Sequence, residues 1–313
     1  MMDNASTMTV FTLSGLNGLE KYRIPLFVAT LLCYCFIWVA NVIIIVTIIM
    51  DKNLHEPMYI FVCNLCINGL FGTAGFFPKF LSDLLSTAHV ISYAGCMLQG
   101  FVLHAYIGAD LSILLLMAFD RYVAICRPLV YHALMTRQRI SVLIFFAWLL
   151  PLKLIAISSI TTSTIRLCGS HIPKIYCISY LVNRLACTPS LAAGVIPAFN
   201  YTFYACHFVA IIWSYVHIIK TCVRSKENQV KFMKTRHKMC GKPHILCLMI
   251  FATSVLFDLM YIRFGSNSVS ESLKNFMAIE FMVVPPILNP VIYGLKLTKI
   301  RNRLLQTFSL KPD

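Results

Sequence analysis

Four ionisable residues stand alone inside long apolar stretches of the chain, and they are the first candidates for functional side chains. They are Asp110, Lys153, Asp258 and Glu280. A charge in an apolar surrounding is costly, and such residues commonly line a ligand site or an ion path. The sequence has no phosphate loop, no H-E-x-x-H and no serine-centred nucleophile motif. We therefore predict that the chain is not an enzyme and has no catalytic residue.

The composition indicates a membrane protein. The chain has 313 residues, of which 58% are hydrophobic and 12% are charged, and its mean hydropathy is +0.76. A soluble domain carries about 25% charged residues, so half of the usual water-facing surface is missing. The thirteen cysteines show no zinc-ribbon arrangement and no His/Cys cluster with ligand spacing. We expect no metal site and no cofactor.

Seven stretches are apolar and long enough to cross a bilayer, which needs about 20 residues in a helix. The predicted helices span about 24–50, 57–82, 97–126, 140–165, 191–222, 243–263 and 272–295. After them, Thr298 to Phe308 alternates apolar and basic residues at helical spacing, which predicts an amphipathic helix on the inner membrane surface. The predicted fold is a single all-α membrane domain, 1–313: a seven-transmembrane helix bundle with a short amphipathic C-terminal helix.

Lysine and arginine are unevenly distributed among the connecting segments. The segments 51–56, 120–139, 220–242 and 296–313 hold 18 of them, against 8 in the opposite segments and helix ends. Basic loops stay in the cytoplasm, so we predict an extracellular N-terminus, 1–23, and a cytoplasmic tail, 296–313. A glycosylation sequon at Asn4 agrees with this orientation. The net charge of +15 then reflects topology and contact with anionic membrane lipid, and we expect no nucleic-acid partner.

The inner end of the predicted third helix carries the most informative motif. The run from Met117 to Leu129 contains Asp120-Arg121-Tyr122 and resembles the odorant-receptor signature almost letter for letter. An arginine at a membrane edge needs a partner or water, because it is always charged. Read alone, Asp120-Arg121 would be an ordinary ion pair at the membrane edge, but the longer match favours the receptor.

The resemblance extends over nearly the whole chain. The matching segments are Leu54–Tyr59, which opens the second helix, Ser214-Tyr215 in the fifth, and Pro285–Gly294 in the seventh. The last of these contains Asn289, Pro290 and Tyr293. The sequence is therefore similar to the odorant receptors of the rhodopsin-like G-protein-coupled receptor family, and His55-Glu56 and Arg263-Phe264-Gly265 resemble its class I, fish-like branch.

The resemblance implies a function and a mechanism. A plasma-membrane receptor of this family binds a small odorant outside the cell and activates a heterotrimeric G protein inside, here of the stimulatory olfactory type that raises cyclic AMP. Asp120 would hold Arg121 at rest, and Tyr122 completes that motif. Asn289, Pro290 and Tyr293 would rearrange on activation.

Four cysteines flank predicted outer loops, where the environment is oxidising. Spacing alone leaves three possible pairings among Cys96, Cys168, Cys177 and Cys187. The resemblance implies that Cys96 pairs with Cys177 and that Cys168 pairs with Cys187.

Asp110 marks a departure from the family. Most of these receptors carry a second aspartate in the second helix, where this chain has Gly69, preceded by Asn68. We predict that Asp110 and Asn68 form an interior polar site in which sodium binds weakly. The alternative is a neutral aspartate that is hydrogen-bonded to Asn68 or Asn289.

The predicted ligand pocket lies between helices in their outer half. On the third helix, Leu103, His104, Ile107 and Gly108 share one face at helical spacing, and on the sixth stand Leu259 and Arg263. By resemblance, His104 and Arg263 suit a carboxylate odorant, since a guanidinium offers paired donors. Asp258 would extend this to an amino acid. The alternatives are that His104 only packs against its neighbours and that Arg263 lies at the outer rim of the membrane.

A small-solute transporter or channel is the rival function, because it would also use intramembrane charges. Transporters usually show internal repeats with broken helices at corresponding positions, and this sequence shows none. Arg121 discriminates between the two functions, since only a receptor depends on it.

Overall fold

The computed structural model describes residues 10–16, 20–188, 191–224 and 271–308. Its long helices are the first, Arg23–Met50; the second, Pro57–Leu85; the third, Tyr93–Cys126; the fourth, Arg137–Ser163; the fifth, Leu191–Arg224; and the seventh, Glu271–Lys296. The C-terminal helix is Thr298–Phe308. The predicted sixth helix, 243–263, lies outside the described residues.

Short elements join the long helices. They are the helices Tyr131–Leu134 and Ser179–Asn183 and the 3-10 turns Glu20–Tyr22, Lys52–Leu54 and Pro128–Val130. The first of these helices leads from the end of the third long helix into the fourth, and it contributes to the site described below.

Within the described residues, five helices are long and apolar enough to span a membrane. In the second and third helices, 61% and 67% of the most apolar window is buried, against 22% in both the first and the fourth. The second and third helices therefore form the centre of the bundle, and the first and fourth present apolar side chains outward, as a surrounding lipid requires.

Several helices extend beyond their apolar stretches. The reason is that hydrogen bonds at the helix termini, rather than the edge of the bilayer, set where a helix begins or ends. Ser92 accepts a hydrogen bond from Gly95 N at 3.1 Å and caps the third helix before Tyr93. Thr136 caps the fourth helix in the same way, so the helix includes the charged Arg137 that hydropathy excludes. The second helix continues to Leu85 with an ion pair between Lys79 and Asp83 in its last turns.

A small sheet lies at the end of the bundle where the third helix begins, which we call the disulfide end. It comprises β1 (Val10–Leu13), β2 (Val90–Ser92) and β3 (His171–Ile172), in the order β2-β1-β3. β1 runs antiparallel to β2 and parallel to β3. Phe11 of β1 is fully buried. Hydropathy did not predict this sheet, because its strands are too short to show a period.

Candidate functional site

The opposite end of the third helix, which we call the Arg121 end, holds a buried carboxylate between two partners. Oδ2 of Asp120 lies 3.6 Å from Nε of Arg121. Oδ1 of Asp120 accepts a hydrogen bond of 2.8 Å from the hydroxyl of Tyr131. Asp120 is only 1% exposed, so both contacts offset the cost of burying its charge.

Tyr131 was not singled out in the sequence, although it follows the motif on the short helix Tyr131–Leu134. Burial, and after it the neighbouring Asp120 carboxylate, raises the pKa of the Tyr131 phenol above its ordinary value. Tyr131 therefore stays protonated at neutral pH and remains a donor. The only sequence signal was a tyrosine in a short connection close behind Asp120.

Tyr122 connects the same motif to the fifth helix. Its ring centroid lies 5.5 Å from that of Trp213 and 6.2 Å from that of His217. One turn further, Sγ of Cys126 donates to Oγ1 of Thr221 at 3.3 Å. The third and fifth helices are thus packed together at the Arg121 end, and a change in their spacing would have to break these contacts.

The seventh helix contains three prolines, Pro285, Pro286 and Pro290. Because Pro290 has no N–H, the carbonyl of Pro286 loses its helical partner. Nδ2 of Asn41 in the first helix donates to this oxygen at 2.9 Å. The partner of this carbonyl therefore comes from the first helix. Asn289 and Tyr293 are both buried.

The predicted interior polar site lies between the second and third helices. Nδ2 of Asn68 donates to Oδ1 of Asp110 at 3.1 Å and to the carbonyl of Tyr106 at 3.0 Å. Asn68 and Asp110 are both buried. The alternative to a sodium site was an aspartate that is hydrogen-bonded to Asn68 or Asn289. The structure has the hydrogen bond between Asp110 and Asn68.

Three oxygens in this region have no hydrogen-bond partner among the described residues. They are Oδ1 of Asn41, Oδ1 of Asn68 and Oδ2 of Asp110. A Cβ built on Gly69 would lie 3.6 Å from Oδ1 of Asn41, which is ordinary contact. Gly69, in place of the family's aspartate, thus leaves space for a side chain next to Oδ1 of Asn41, an acceptor without a partner among the described residues. The described residues contain no group of three or more His, Cys, Asp or Glu that could hold a metal ion.

Two disulfides organise the long loop at the disulfide end. Cys96 is bonded to Cys177, and Cys168 to Cys187, with Cα–Cα distances of 5.2 Å and 4.9 Å. These are the pairings that the resemblance implied. The amide N–H of Cys177 donates to Oε1 of Gln99 at 2.9 Å, which seals the loop against the third helix. Gln99 was not predicted, because nothing in the local sequence marks its partner.

The residues on the predicted ligand face of the third helix differ in burial and in packing. Leu103 is buried and Ile107 is partly buried. Nδ1 of the partly buried His104 lies 2.9 Å from the carbonyl of Gly100, a contact that orients its ring. A Cβ on Gly108 would lie 2.6 Å from Cβ of Pro151, so Gly108 packs directly against the fourth helix.

One turn after Gly108, Ser112 on the same face contacts His207, which was not predicted from the sequence. Oγ of Ser112 lies 3.2 Å from Nε2 of His207 in the fifth helix. Nδ1 of His207 lies 2.9 Å from the carbonyl of Phe203. Ser112 stands four residues after Gly108, and this spacing could have identified it. The candidates Leu259, Arg263 and Asp258 on the sixth helix, and Asn4, lie outside the described residues.

The intramembrane charges differ in their surroundings. Lys153 is exposed on the outer surface of the fourth helix, whereas Asp110 is buried in the bundle. Glu280 is partly buried in the seventh helix. A lysine that faces lipid does not line an interior path, so this residue gives the transporter interpretation no support.

Comparisons with known proteins agree with this architecture. The family model of the olfactory receptors matches residues 30–311. Human olfactory receptor 52D1 is 32% identical over 304 residues, covering 96% of this chain and 94% of that protein. Human olfactory receptor 2C3 is 33% identical over 306 residues, covering 96% and 93%. Mouse olfactory receptor 6E1 is 31% identical over 303 residues, covering 96% and 95%.

A solved structure supports the fold independently. The crystal structure of squid rhodopsin superimposes with a TM-score of 0.74 and 17% identity, covering 92% of this chain and 86% of that one. With the membrane-spanning helices described above, this likeness confirms the predicted all-α, seven-transmembrane helix class.

Proposed function

The chain belongs to the olfactory receptor family, and from this premise we propose that it binds a small extracellular odorant and activates a heterotrimeric G protein of the stimulatory olfactory type. The product of signalling would be cyclic AMP. One observation carries the mechanism: the buried Asp120 is held by both Arg121 and Tyr131. The protein is a receptor and not an enzyme.

The proposed mechanism is a shift in population between a resting and an active bundle. In the resting bundle, Asp120 keeps Arg121 turned toward the third helix, and Tyr122 packs against the fifth. An odorant that binds more tightly to the active bundle favours separation of these helices. Arg121 and the basic segment 220–242 would then meet the G protein. Asn289, Pro290 and Tyr293 would repack in the same transition, starting from the arrangement in which Asn41 donates to the carbonyl of Pro286.

The proposed ligand is a carboxylate odorant, or an amino acid if Asp258 also faces the pocket. Arg263 and His104 would bind the carboxylate, and Leu103, Ile107, Gly108 and Leu259 would line the apolar part. Support comes from the third helix. His104 is only partly buried, and its Nδ1 lies 2.9 Å from the carbonyl of Gly100, which packs against the loop that the disulfides hold.

The proposed orientation places the disulfide end and Asn4 outside the cell and the Arg121 end in the cytoplasm of a plasma-membrane protein. The charge bias of the loops supports it. So does the location of both disulfides at one end, since disulfides persist in the oxidising extracellular medium. Membrane lipid is then in contact with the basic cytoplasmic surface.

The test is a cyclic AMP assay in cells that express the chain with the olfactory G protein. Acids, amino acids, amines and neutral odorants would be compared on the wild type, Arg121→Ala and Arg263→Ala, with surface expression measured. The exposed Lys52→Ala is the matched control. We expect Arg121→Ala to abolish every response and Arg263→Ala to abolish only the responses to acids and amino acids, which share the carboxylate.

The other outcomes are equally informative. Acid responses that survive Arg263→Ala would contradict the carboxylate pocket but leave the receptor intact. A cyclic AMP response that survives Arg121→Ala would contradict the proposed role of Arg121 in coupling.

A further inference from the structure

A groove of about 350 Å³ opens on the lipid-facing surface near the Arg121 end, between the first, second and fourth helices. Its walls are mainly isoleucine side chains. They are Ile48, Ile49, Ile60, Ile140 and Ile144. A groove with aliphatic walls, open to the bilayer, accepts a hydrocarbon chain more readily than a polar solute.

The polar side chains inside the groove already have partners. Oδ1 of Asn64 accepts from Nε1 of Trp148 at 3.2 Å, and Nδ2 of Asn64 donates to the carbonyl of Ile60 at 2.9 Å. Oγ of Ser141 donates to the carbonyl of Arg137 at 3.1 Å. A polar ligand would therefore find few unused groups on these walls.

The mouth of the groove differs from its walls because the exposed Arg137 gives it a positive charge. His55 also lines the mouth, with Nε2 3.3 Å from the carbonyl of Ile49. The guanidinium of Arg137 makes no ion pair or hydrogen bond with the residues that the structure describes. Its charge is thus available to a ligand that reaches the mouth from the membrane surface.

The two acids on the adjoining loop are already paired with the C-terminal helix. Oε1 of Glu56 lies 2.6 Å from Nζ of Lys299, and Oδ2 of Asp51 lies 3.4 Å from Nε of Arg303. Neither carboxylate forms an ion pair with Arg137. The mouth of the groove therefore keeps a net positive charge, which complements an anion.

We propose that this groove binds one anionic phospholipid, with an acyl chain along the isoleucine walls and the phosphate against Arg137. The orientation proposed above enters only in the choice of leaflet: the Arg121 end faces the cytoplasmic leaflet, where anionic lipids are enriched. The bound lipid joins the first, second and fourth helices beside the contact between Asn64 and Trp148.

A second groove shows why charge decides the assignment. It has a volume of about 560 Å³ and lies between the second and third helices at the disulfide end. Lys79 lines it but is paired with Asp83 within the second helix. The described residues that line this groove include no unpaired cation, so we assign no anionic lipid to it.

Trp148 supplies the reporter for the test. The full-length protein with Trp38→Phe and Trp213→Phe keeps Trp148 as its one tryptophan, because the chain has three. It would be reconstituted in phosphatidylcholine vesicles that contain brominated phosphatidylserine or brominated phosphatidylcholine. Quenching of Trp148 then gives the relative binding constant of the two lipids next to the groove.

We expect phosphatidylserine to be preferred by about fivefold, as for one cation near an anionic surface. Arg137→Gln should abolish the preference, while Arg137→Lys and the nearby control Lys52→Gln retain it. Equal quenching by the two lipids in the unsubstituted reporter would overturn the proposal. It would also be overturned if Lys52→Gln reduced the preference as much as Arg137→Gln, since the attraction would then belong to the whole surface.

Discussion

The hydroxyl of Tyr131 donates to Oδ1 of Asp120 over 2.8 Å, from a short helix that begins 11 residues further along the chain. The other carboxylate oxygen, Oδ2, lies 3.6 Å from Nε of Arg121, so Tyr131 holds the carboxylate in the position from which it pairs with Arg121. The restraint on Arg121 therefore depends on the position of the connection between the third and fourth helices as well as on the Asp-Arg-Tyr motif itself. A movement of that connection is a route by which a bound G protein would release Arg121.

Tyr131→Phe should raise basal signalling. The substitution keeps the ring but removes the donor, which weakens the resting state. A hydrogen bond to a charged group contributes about 1.5–3 kcal/mol, so the active fraction should rise roughly tenfold or more from a low starting value. The measurement is cyclic AMP without odorant, normalised to receptor at the cell surface.

The control for this change is Tyr22→Phe, which makes the same chemical substitution at an exposed tyrosine. It should leave basal cyclic AMP unchanged. If basal cyclic AMP were the same for Tyr131→Phe and Tyr22→Phe at equal surface expression, Tyr131 would not stabilise the resting state.

Gly72→Ala should destabilise the bundle, whereas Gly69→Ala should not. A Cβ at Gly72 would overlap Cγ of the buried Tyr106 ring, so the second and third helices would have to separate. Overpacking of this kind costs about 1–3 kcal/mol. At Gly69 the nearest atom is 3.6 Å away, and alanine also favours the helix. Thermal unfolding of the purified receptor in detergent measures both variants, and equal midpoints would contradict the packing.

Sodium should have little effect on odorant potency in the wild type and more in Gly69→Asp. Next to Gly69, the residues that the structure describes offer one carboxylate, Asp110, together with unused oxygens on Asn41 and Asn68. The new aspartate would add a second carboxylate next to Asn41, where there is room for its Cβ. Dose–response curves in sodium and in N-methylglucamine would show the difference, with Gly69→Asn as the uncharged control. A strong sodium effect in the wild type would show that Asp110 suffices.

Loss of the Cys96–Cys177 bond should be more damaging than loss of the Cys168–Cys187 bond. The first closes a loop of 81 residues and the second one of 19. Chain-entropy estimates give about 4.5 and 3 kcal/mol for loops of these sizes. The first bond also holds the contact between Cys177 and Gln99. Surface expression of the paired serine variants measures the effect, and the reverse order would contradict this reasoning.

Exchange of charge between Lys299 and Glu56 should restore what either single reversal removes. The bond to Glu56 raises the pKa of Lys299 above its ordinary 10.5. Lys299 is therefore charged at neutral pH, and its contribution to the pair is lost as pH rises through that higher pKa. Both side chains are about half exposed, so each reversal should change cyclic AMP output by less than about fivefold. If the double variant signals worse than both single variants, the pair does not anchor the C-terminal helix.

The class of the protein could be predicted because the relevant forces act along the sequence. The bilayer requires about 20 consecutive apolar residues for each span, and the observed second helix, Pro57–Leu85, contains the whole predicted stretch 57–82. Helix ends were predicted less well, since caps such as Ser92 and Thr136 are set by single hydrogen bonds rather than by hydropathy. The C-terminal helix, Thr298–Phe308, was visible from its amphipathic spacing alone.

The sequence by itself thus determined the spanning stretches, the charge bias, the Asp-Arg-Tyr motif and the family, all of which are local or ordered along the chain. Only the tertiary structure decided which side chains meet across the bundle. Asn41 donates to Pro286, 245 residues away, and Asn68 donates to Asp110, 42 residues away. The physical reason is that helical periodicity predicts which residues share a face, but not which neighbouring helix that face meets or at what height. That choice comes from the packing of the helices against one another, and it placed Asn41 at the carbonyl that Pro290 leaves without a helical partner.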